Sequence, residues 1–182
     1  MKTLVLVTHP NIHDSMVSKT WVHMLRQHPD RFTVHELYSE YPDGVIDVER
    51  EQALVEEHQN IVLQFPVYWF NCPPLLKQWC DEVLTYGWAY GSKGKAFENK
   101  KLGIAVSLGA PAPEYSAEGS VGYTVAENLR PFELTANYIS ADYQPLFAFH
   151  TIDTYESYDE AAAQQVADSA DDYLAHLNTY YT

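Results

Sequence analysis

The feature that most constrains the fold is a set of four short segments that are apolar at nearly every position. They are residues 4–7, 61–63, 102–106 and 146–149. A strand with one face in water alternates apolar and polar residues, whereas a strand buried on both faces does not. The four segments therefore predict strands of a parallel sheet that is covered by helices on both sides.

Helix-like patterns separate these strands. Apolar residues recur at helical spacing in residues 15–28, 47–58, 74–84, 121–138 and 158–177. Pro131 is expected to kink or split the fourth of these helices. A weaker, alternating segment at residues 32–38 supplies a fifth strand. Strands that alternate with helices along the chain predict an α/β fold. We expect a doubly wound five-stranded parallel sheet in the flavodoxin-like order 2-1-3-4-5, with residues 1–182 as a single domain.

The composition excludes several classes of partner. Asp and Glu number 25 against 11 Lys and Arg, a formal net charge of −14 at pH 7. Proteins bind nucleic acids and anionic membranes through clustered positive charge, so this composition argues against both as partners. No segment approaches the ~18 apolar residues of a membrane span. The two cysteines, Cys72 and Cys80, predict neither a disulfide framework nor a zinc site. We therefore expect a cytoplasmic protein that binds no metal.

Loop one, residues 8–15, leads from the first strand into a helix that begins near Ser15. Free amides at a helix N-terminus attract anions, and the hydroxyls of Ser15 and Ser18 would add donors. A helix cap needs the same kind of residue, so an anion site and a simple cap remain alternatives for Ser15. His9 either faces a ligand or packs within the loop. The loop lacks the glycine pattern of a dinucleotide fingerprint.

Loop three, residues 65–74, places three consecutive rings at a strand end: Tyr68, Trp69 and Phe70. Large rings in a binding loop offer flat surfaces for stacking, and the flanking prolines would hold the backbone amides in place. The alternative is that Trp69 and Phe70 plug the end of the sheet. Cys72 is interpreted as a small apolar residue, because no His or Asp partner at a recognised spacing would activate it.

Loop four, residues 107–119, contains Gly109 and Gly119, which allow a close approach of the backbone to a ligand. Tyr115 could donate a hydrogen bond to a substrate, although it is one of 14 tyrosines. The loops that follow strands one, three and four meet at the carboxyl edge of a doubly wound sheet, so we expect the ligand site there.

Residues 66–91, PVYWFNCPPLLKQWCDEVLTYGWAYG, resemble the signature of the flavodoxin-fold NAD(P)H:quinone oxidoreductases. The similarity is greatest to a short bacterial branch that includes the ancillary flavoproteins of the Kef potassium-efflux system. This resemblance implies an enzyme, an NAD(P)H dehydrogenase (quinone), that forms a homodimer and binds FMN non-covalently. It also implies hydride transfer from NAD(P)H to quinones by a ping-pong mechanism. FMN is favoured over FAD because the chain lacks the additional C-terminal region of the mammalian enzymes.

The same resemblance assigns roles to individual residues. The implied cofactor-binding residues lie in loops one, three and four and in the helix after loop one: His9, Ser15, Ser18, Val67, Tyr68, Trp69, Phe70, Ser107, Leu108 and Gly109. Tyr115 matches the active-site tyrosine that helps to stabilise charge on the reduced flavin, and it is the implied catalytic residue. Val121 stands where the mammalian enzymes have a histidine, so a tyrosine–histidine charge relay at that position is not implied.

Two other functions remain open on the sequence alone. The resemblance to the Kef ancillary proteins also fits a regulatory subunit of a cation–proton antiporter, with a transporter as partner. A one-electron, flavodoxin-type carrier is the third alternative, because acidic carriers dock on basic partners. The region of Tyr115 argues against the carrier, since it resembles a substrate pocket.

Overall fold

The computed structural model describes residues 2–150 and 159–182. Its strands are β1 (Thr3–Val7), β2 (Phe32–Glu36), β3 (Asn60–Pro66), β4 (Lys101–Leu108), β5 (Asp142–Tyr143) and β6 (Phe147–His150). Its α-helices are α1 (Met16–Arg26), α2 (Leu37–Glu40), α3 (Val48–Glu56), α4 (Pro74–Val83), α5 (Val125–Asn128), α6 (Arg130–Tyr138) and α7 (Glu160–Tyr180). The strands form one parallel sheet in the order β2-β1-β3-β4-β5, and β6 also pairs with β4. The predicted flavodoxin-like fold and its strand order are confirmed.

The predicted fifth strand is divided into two pieces. β5 pairs with the start of β4, and β6 pairs with the end of β4. Pro145 lies between the two pieces and has no amide hydrogen to donate to the ladder, so the pairing is interrupted there. Only β6 had been predicted, because β5 is two residues long and carries no apolar pattern.

The helices follow the predicted pattern, apart from one helix that is divided. The predicted helix over residues 121–138 is divided into α5 and α6, and Pro131 lies in the first turn of α6, where its missing amide hydrogen costs no helical bond. The predicted strand over residues 32–38 ends at Glu36, since α2 begins at Leu37. Residue 158, the predicted start of the last helix, lies outside the described residues. No helix in the described ranges is both long enough and apolar enough to cross a membrane.

Helices on both faces of the sheet give the protein two apolar cores. Alternate residues of each strand point to opposite faces, so Leu4 and Leu6 lie in one core while Val5 and Val7 lie in the other. The first core is closed by α3, α4 and α6, and the second by α1 and α7. In the second core, Trp21 Nε1 donates a hydrogen bond to Ser169 Oγ at 2.9 Å, which joins α1 to α7.

A buried carboxylate, Glu51, joins α3 to the segments around it. Its side chain has no exposed area. Oε1 accepts hydrogen bonds from His35 Nε2 at 2.8 Å and from the Tyr41 hydroxyl at 2.6 Å, and Oε2 accepts one from Trp79 Nε1 at 2.8 Å. Burial by itself raises the pKa of Glu51, but the hydrogen bonds from His35, Tyr41 and Trp79 and the attraction of His35 outweigh it. The pKa therefore lies below its ordinary value.

We predict that Glu51→Ala lowers the free energy of unfolding by about 3–5 kcal/mol, because it leaves three buried donors without an acceptor. Since folding lowers the pKa of Glu51, the carboxylate stabilises the fold above the ordinary pKa of 4.5, and this stabilisation is lost as the pH falls through the lower folded-state value. Urea unfolding of both proteins at several pH values measures the effect.

The control for this prediction is Glu49→Ala, which removes an exposed carboxylate from the same helix. It should cost less than about 1 kcal/mol at any pH, since exposed carboxylates near a helix start contribute little. Equal losses in the two variants would contradict the assignment of Glu51.

Candidate functional site

The loops after β1, β3 and β4 begin side by side at the carboxyl edge of the sheet. The Thr8 amide donates to the Gln64 carbonyl at 2.8 Å, and the Val67 amide donates to the Ser107 carbonyl at 2.9 Å. These two bonds continue the strand ladders by one step into loops one and three. The structure thus brings together the three loops that the topology predicts as the ligand site.

Loop three forms a tight turn whose central residues are Trp69 and Phe70. The backbones of Tyr68 and Asn71 exchange two hydrogen bonds, of 2.8 and 3.0 Å, and φ is 48° at Trp69 and 62° at Phe70. Positive φ at both central positions defines a type I′ turn, which favours Asn and Gly. Each of the two bulky residues carries a conformational cost of about 1–2 kcal/mol there. Such strain is concentrated at functional sites, where the surrounding structure holds it in place.

The rings of this turn face outward. Trp69 is 94% exposed, and Tyr68 and Phe70 are 42% and 48% exposed. The exposure of Trp69 rules out the alternative that it plugs the end of the sheet. Within the described part of the chain, the amide N–H groups of Trp69 and Phe70 have no hydrogen-bond partner. The turn therefore presents flat rings and two fixed, unpaired donors.

Loop one ends at the N-terminus of α1, and Ser15 is the N-cap. Its Oγ accepts a hydrogen bond from the Ser18 amide at 3.0 Å. The amides of Met16 and Val17 have no partner among the residues that the structure describes, so they remain available to an anion. Ser15 is therefore a cap, and the end of the helix that it caps still has free donors. Ser18 itself is 2% exposed, and its part in the cap is the amide that donates to Ser15.

His9 connects loop one to loop three. Its Nδ1 accepts a hydrogen bond from the Asn11 amide at 3.1 Å, so the neutral ring carries its proton on Nε2. The ring meets Tyr68 edge to face, with centroids 6.5 Å apart. Partial burial lowers the pKa of His9, which favours the neutral ring. His9 thus offers an uncharged donor at Nε2.

Glu114 of loop four is bonded to the two residues that follow the loop. The Val121 amide donates to the Glu114 carbonyl at 3.1 Å, and Ser120 Oγ donates to Glu114 Oε2 at 2.8 Å. A Cβ on Gly119 would lie 2.3 Å from the Glu114 carbonyl oxygen, so the chain can close here only with glycine. Gly109 is different, because nothing lies within 4 Å of the position that its Cβ would take. The backbone at Gly109 is therefore open to a ligand.

Tyr115 is half-buried, and its ring lies against His150 with centroids 5.6 Å apart and planes inclined by 58°. Burial and the nearby Glu114 carboxylate raise the pKa of Tyr115, so its hydroxyl keeps its proton at neutral pH and can donate it in a hydrogen bond. His150 Nδ1 lies 2.9 Å from the Ala110 carbonyl, so this nitrogen carries the ring proton and donates it.

His150 is not among the site residues predicted from the sequence. The resemblance in sequence implied no histidine beside Tyr115, because Val121 stands at the position considered. The structure brings His150 to Tyr115 from the end of β6. The available signal was a histidine directly after an apolar strand of a parallel sheet, since such a position faces the ligand edge. The remaining predicted residues keep their places at this edge: Val67 and Ser107 are half-buried and Leu108 is buried.

Residues 2–150 and 159–182 contain no group of three His, Cys, Asp or Glu side chains arranged to hold a metal ion. Cys72, beside the aromatic turn, is half-buried, and burial raises the pKa of its thiol. A raised pKa reduces the thiolate fraction, which is the nucleophilic form. These properties support the interpretation of Cys72 as a small apolar residue.

Known proteins are similar to this chain in sequence. The family model described as Flavodoxin-like fold matches residues 1–177. The uncharacterized NAD(P)H oxidoreductase YrkL of Bacillus subtilis is 53% identical over 147 residues, which are 81% of this chain and 84% of that protein. The glutathione-regulated potassium-efflux system ancillary protein KefG of Erwinia tasmaniensis is 42% identical over 135 residues, 74% of this chain and 73% of that protein.

Two solved structures are similar over almost the full length. General stress protein 14 of Treponema denticola, in complex with FMN, is 62% identical with a TM-score of 0.93, covering 98% of this chain and 99% of that chain. An NADPH-quinone reductase of P. pentosaceus is 33% identical with a TM-score of 0.81, covering 95% of this chain and 97% of that chain. The chain therefore belongs to the flavodoxin-like-fold family that includes NAD(P)H oxidoreductases and the Kef ancillary proteins.

Proposed function

We propose that this protein is an FMN-dependent NAD(P)H oxidoreductase that reduces quinones. The observation that carries the proposal is the strained turn at Trp69 and Phe70, whose unpaired amides point to a ligand with acceptor atoms along a flat edge. The free amides at the start of α1 suit a phosphate at the same edge of the sheet. A ring with acceptors at its rim and a terminal phosphate is the chemistry of FMN.

The relatives support the choice of cofactor and substrates. The Treponema denticola protein binds FMN, and its sequence is 62% identical to this chain. YrkL is named an NAD(P)H oxidoreductase, and the P. pentosaceus protein is named an NADPH-quinone reductase. When bound, FMN supplies the redox centre that takes a hydride from NAD(P)H and passes reducing equivalents to a quinone. FAD is less favoured, because the relative at 62% identity holds FMN.

Each loop has a separate task in this proposal. The amides of Trp69 and Phe70 hold the ring edge, and the start of α1, capped by Ser15, holds the phosphate. The donors are fixed before binding, so they stabilise negative charge without reorganisation. The other proposed cofactor contacts are His9, Ser18, Val67, Tyr68, Ser107, Leu108 and Gly109.

Tyr115 is the proposed catalytic residue. Its hydroxyl stays protonated at neutral pH, because burial and Glu114 raise its pKa. A protonated hydroxyl can donate a hydrogen bond to an oxygen that gains negative charge during reduction. We propose that a quinone oxygen is that acceptor.

We also propose that the protein acts as a cytoplasmic homodimer. A second candidate function follows from the 42% identity to KefG, which is named an ancillary protein of a potassium-efflux system. Exposed acidic side chains line α7, namely Glu160, Asp168, Asp171 and Asp172, and would complement a basic surface of a transporter domain. Co-purification with a cation–proton antiporter that is lost after replacement of these four residues by Asn or Gln would support this second function.

The first expected outcome is a flavin spectrum. We expect the purified protein to bind added FMN in equimolar amount. The loaded protein should oxidise one equivalent of NADH or NADPH without a quinone, and should turn over repeatedly only when a quinone is present. Parallel double-reciprocal plots would indicate the proposed ping-pong order. Failure to bind FMN, or loading with FMN without quinone reduction, would overturn the proposal. Reduction of the loaded protein in two separate one-electron steps would indicate the flavodoxin-type carrier instead.

The strain in the turn can be measured with a pair of variants, Trp69→Asn and Trp69→Val. Both remove the exposed indole, but Asn tolerates positive φ and the β-branched Val does not. We expect the Asn variant to exceed the Val variant by about 1 kcal/mol in free energy of unfolding without FMN. We also expect the Asn variant to bind FMN more tightly, because it keeps the amides in place. Equal stability of the two in urea would contradict the left-handed turn.

The role of Tyr115 predicts a selective loss of turnover. Tyr115→Phe removes the hydroxyl and leaves the ring, so we expect kcat for quinone reduction to fall by roughly 10- to 100-fold, the size of a hydrogen bond to developing charge. The Kd for FMN should stay within about twofold, since the ring packing is retained. Tyr86→Phe is the matched control because Tyr86 is 74% exposed. Unchanged kcat in Tyr115→Phe would exclude the proposed role.

A further inference from the structure

We propose that His150 is a positioning residue that clamps residues 110–115 against the sheet and thereby sets the place of the Tyr115 ring. The inference rests on the proposed function as far as Tyr115 acts on a substrate. The clamp itself is a property of the fold. Two contacts of one side chain define it, a hydrogen bond to Ala110 and a ring contact with Tyr115.

The first contact ties the start of loop four to the edge strand. His150 is the last residue of β6 and lies opposite Leu108 of β4 in the parallel ladder. Its Nδ1 donates to the carbonyl of Ala110, two residues further along the chain, at 2.9 Å. The side chain thus extends the attachment of β4 to β6 beyond the last backbone pair. The neighbouring Gly109 is exposed and has no atom near its Cβ position to hold it.

The second contact lies at the other end of the same segment. A short 3-10 helix, Ala112–Glu114, follows Pro111 and is capped at its C-terminal end by Tyr115. The Tyr115 ring lies 5.6 Å from the His150 ring, centroid to centroid. One imidazole therefore touches both ends of residues 110–115. A segment fixed at both ends loses most of the freedom that would let its last side chain move.

This arrangement bears on catalysis because Tyr115 stands on a loop. The hydrogen bonds from Val121 and Ser120 to Glu114 close this part of the chain on itself, and the Tyr115 ring also packs against the first core. A catalytic group displaced by about 1 Å can lose roughly 10²-fold in rate. Attachment through His150 would hold the hydroxyl in place between turnovers. The second nitrogen, Nε2, has no hydrogen-bond partner among the described residues and is left as an acceptor.

Three variants separate the two contacts. His150→Asn keeps a donor near the position of Nδ1 and loses the ring, His150→Phe keeps a ring and loses the donor, and His150→Ala loses both. We expect amide hydrogen exchange over residues 110–115 to accelerate most in His150→Ala. At the amides near Ala110, the acceleration should be smallest in His150→Asn, because this variant keeps a donor. His23→Ala is the control, since His23 is exposed on α1. Unchanged exchange in all three His150 variants would overturn the clamp, whatever the activity of the protein.

The kinetic part of the test asks whether His150 acts through Tyr115. We expect His150→Ala to lower kcat about tenfold while KM and the Kd for FMN stay within about twofold, and His150→Asn to recover part of the loss. In the Tyr115→Phe background, the same change should alter kcat by less than about twofold, because the hydroxyl to be positioned is absent. Full additivity of the two changes would overturn the positioning role.

The failures of the two proposals can be told apart. A wild-type protein that reduces no quinone, with exchange in residues 110–115 that still depends on His150, would reject the proposed function and support the clamp. An active wild-type protein whose His150 variants match it in exchange and in kcat would reject the clamp alone. If His150→Ala is too unstable to assay, the Asn and Phe variants carry the same comparison.

Discussion

The site depends on the position of β3 between β1 and β4. All seven residues of β3 are buried, and the strand pairs in parallel with both neighbours, so its carboxyl end cannot move without breaking two ladders. The loops on either side start from this fixed edge through the bonds Thr8–Gln64 and Val67–Ser107. The continuous apolar strands therefore fix the edge of the sheet as well as forming the core. They are the reason that three irregular loops can present donors in a constant arrangement.

The same edge explains how the strained turn persists. Its two left-handed residues disfavour the turn by about 2–4 kcal/mol together. Contacts on both sides stabilise the turn. Before it, Val67 packs against the core and its amide donates to the Ser107 carbonyl. After it, the Asn71 backbone is bonded to the Tyr68 backbone, and Asn71 Oδ1 accepts a hydrogen bond from the Cys72 amide. The turn is thus bonded on both sides before a ligand arrives. Amides that are fixed in advance bind a ligand edge without a further loss of entropy.

Much of the fold, but less of the site, could be predicted from the sequence. Buried strands are local patterns, so the four apolar segments located β1, β3, β4 and β6 to within a few residues. β5 was missed because two residues carry no period, and the left-handed turn was missed because Trp and Phe rarely occupy type I′ positions. His150 was missed for a different reason: its two contacts, with Ala110 and Tyr115, are about 40 residues away in the chain, and only the topology brings them together.

The fold also shows where part of the net charge of −14 lies relative to the candidate site. If an acidic protein is to bind the proposed anionic cofactor, the attraction must be local. Charges on the outer face of α7 are exposed, and their repulsion is screened over about 8 Å at physiological salt. The amides at the start of α1 and in the turn act at hydrogen-bond distance, where screening is small. Local dipoles therefore decide the binding, and the outer surface is free to carry the negative charge that keeps similar acidic proteins apart or attracts a basic partner.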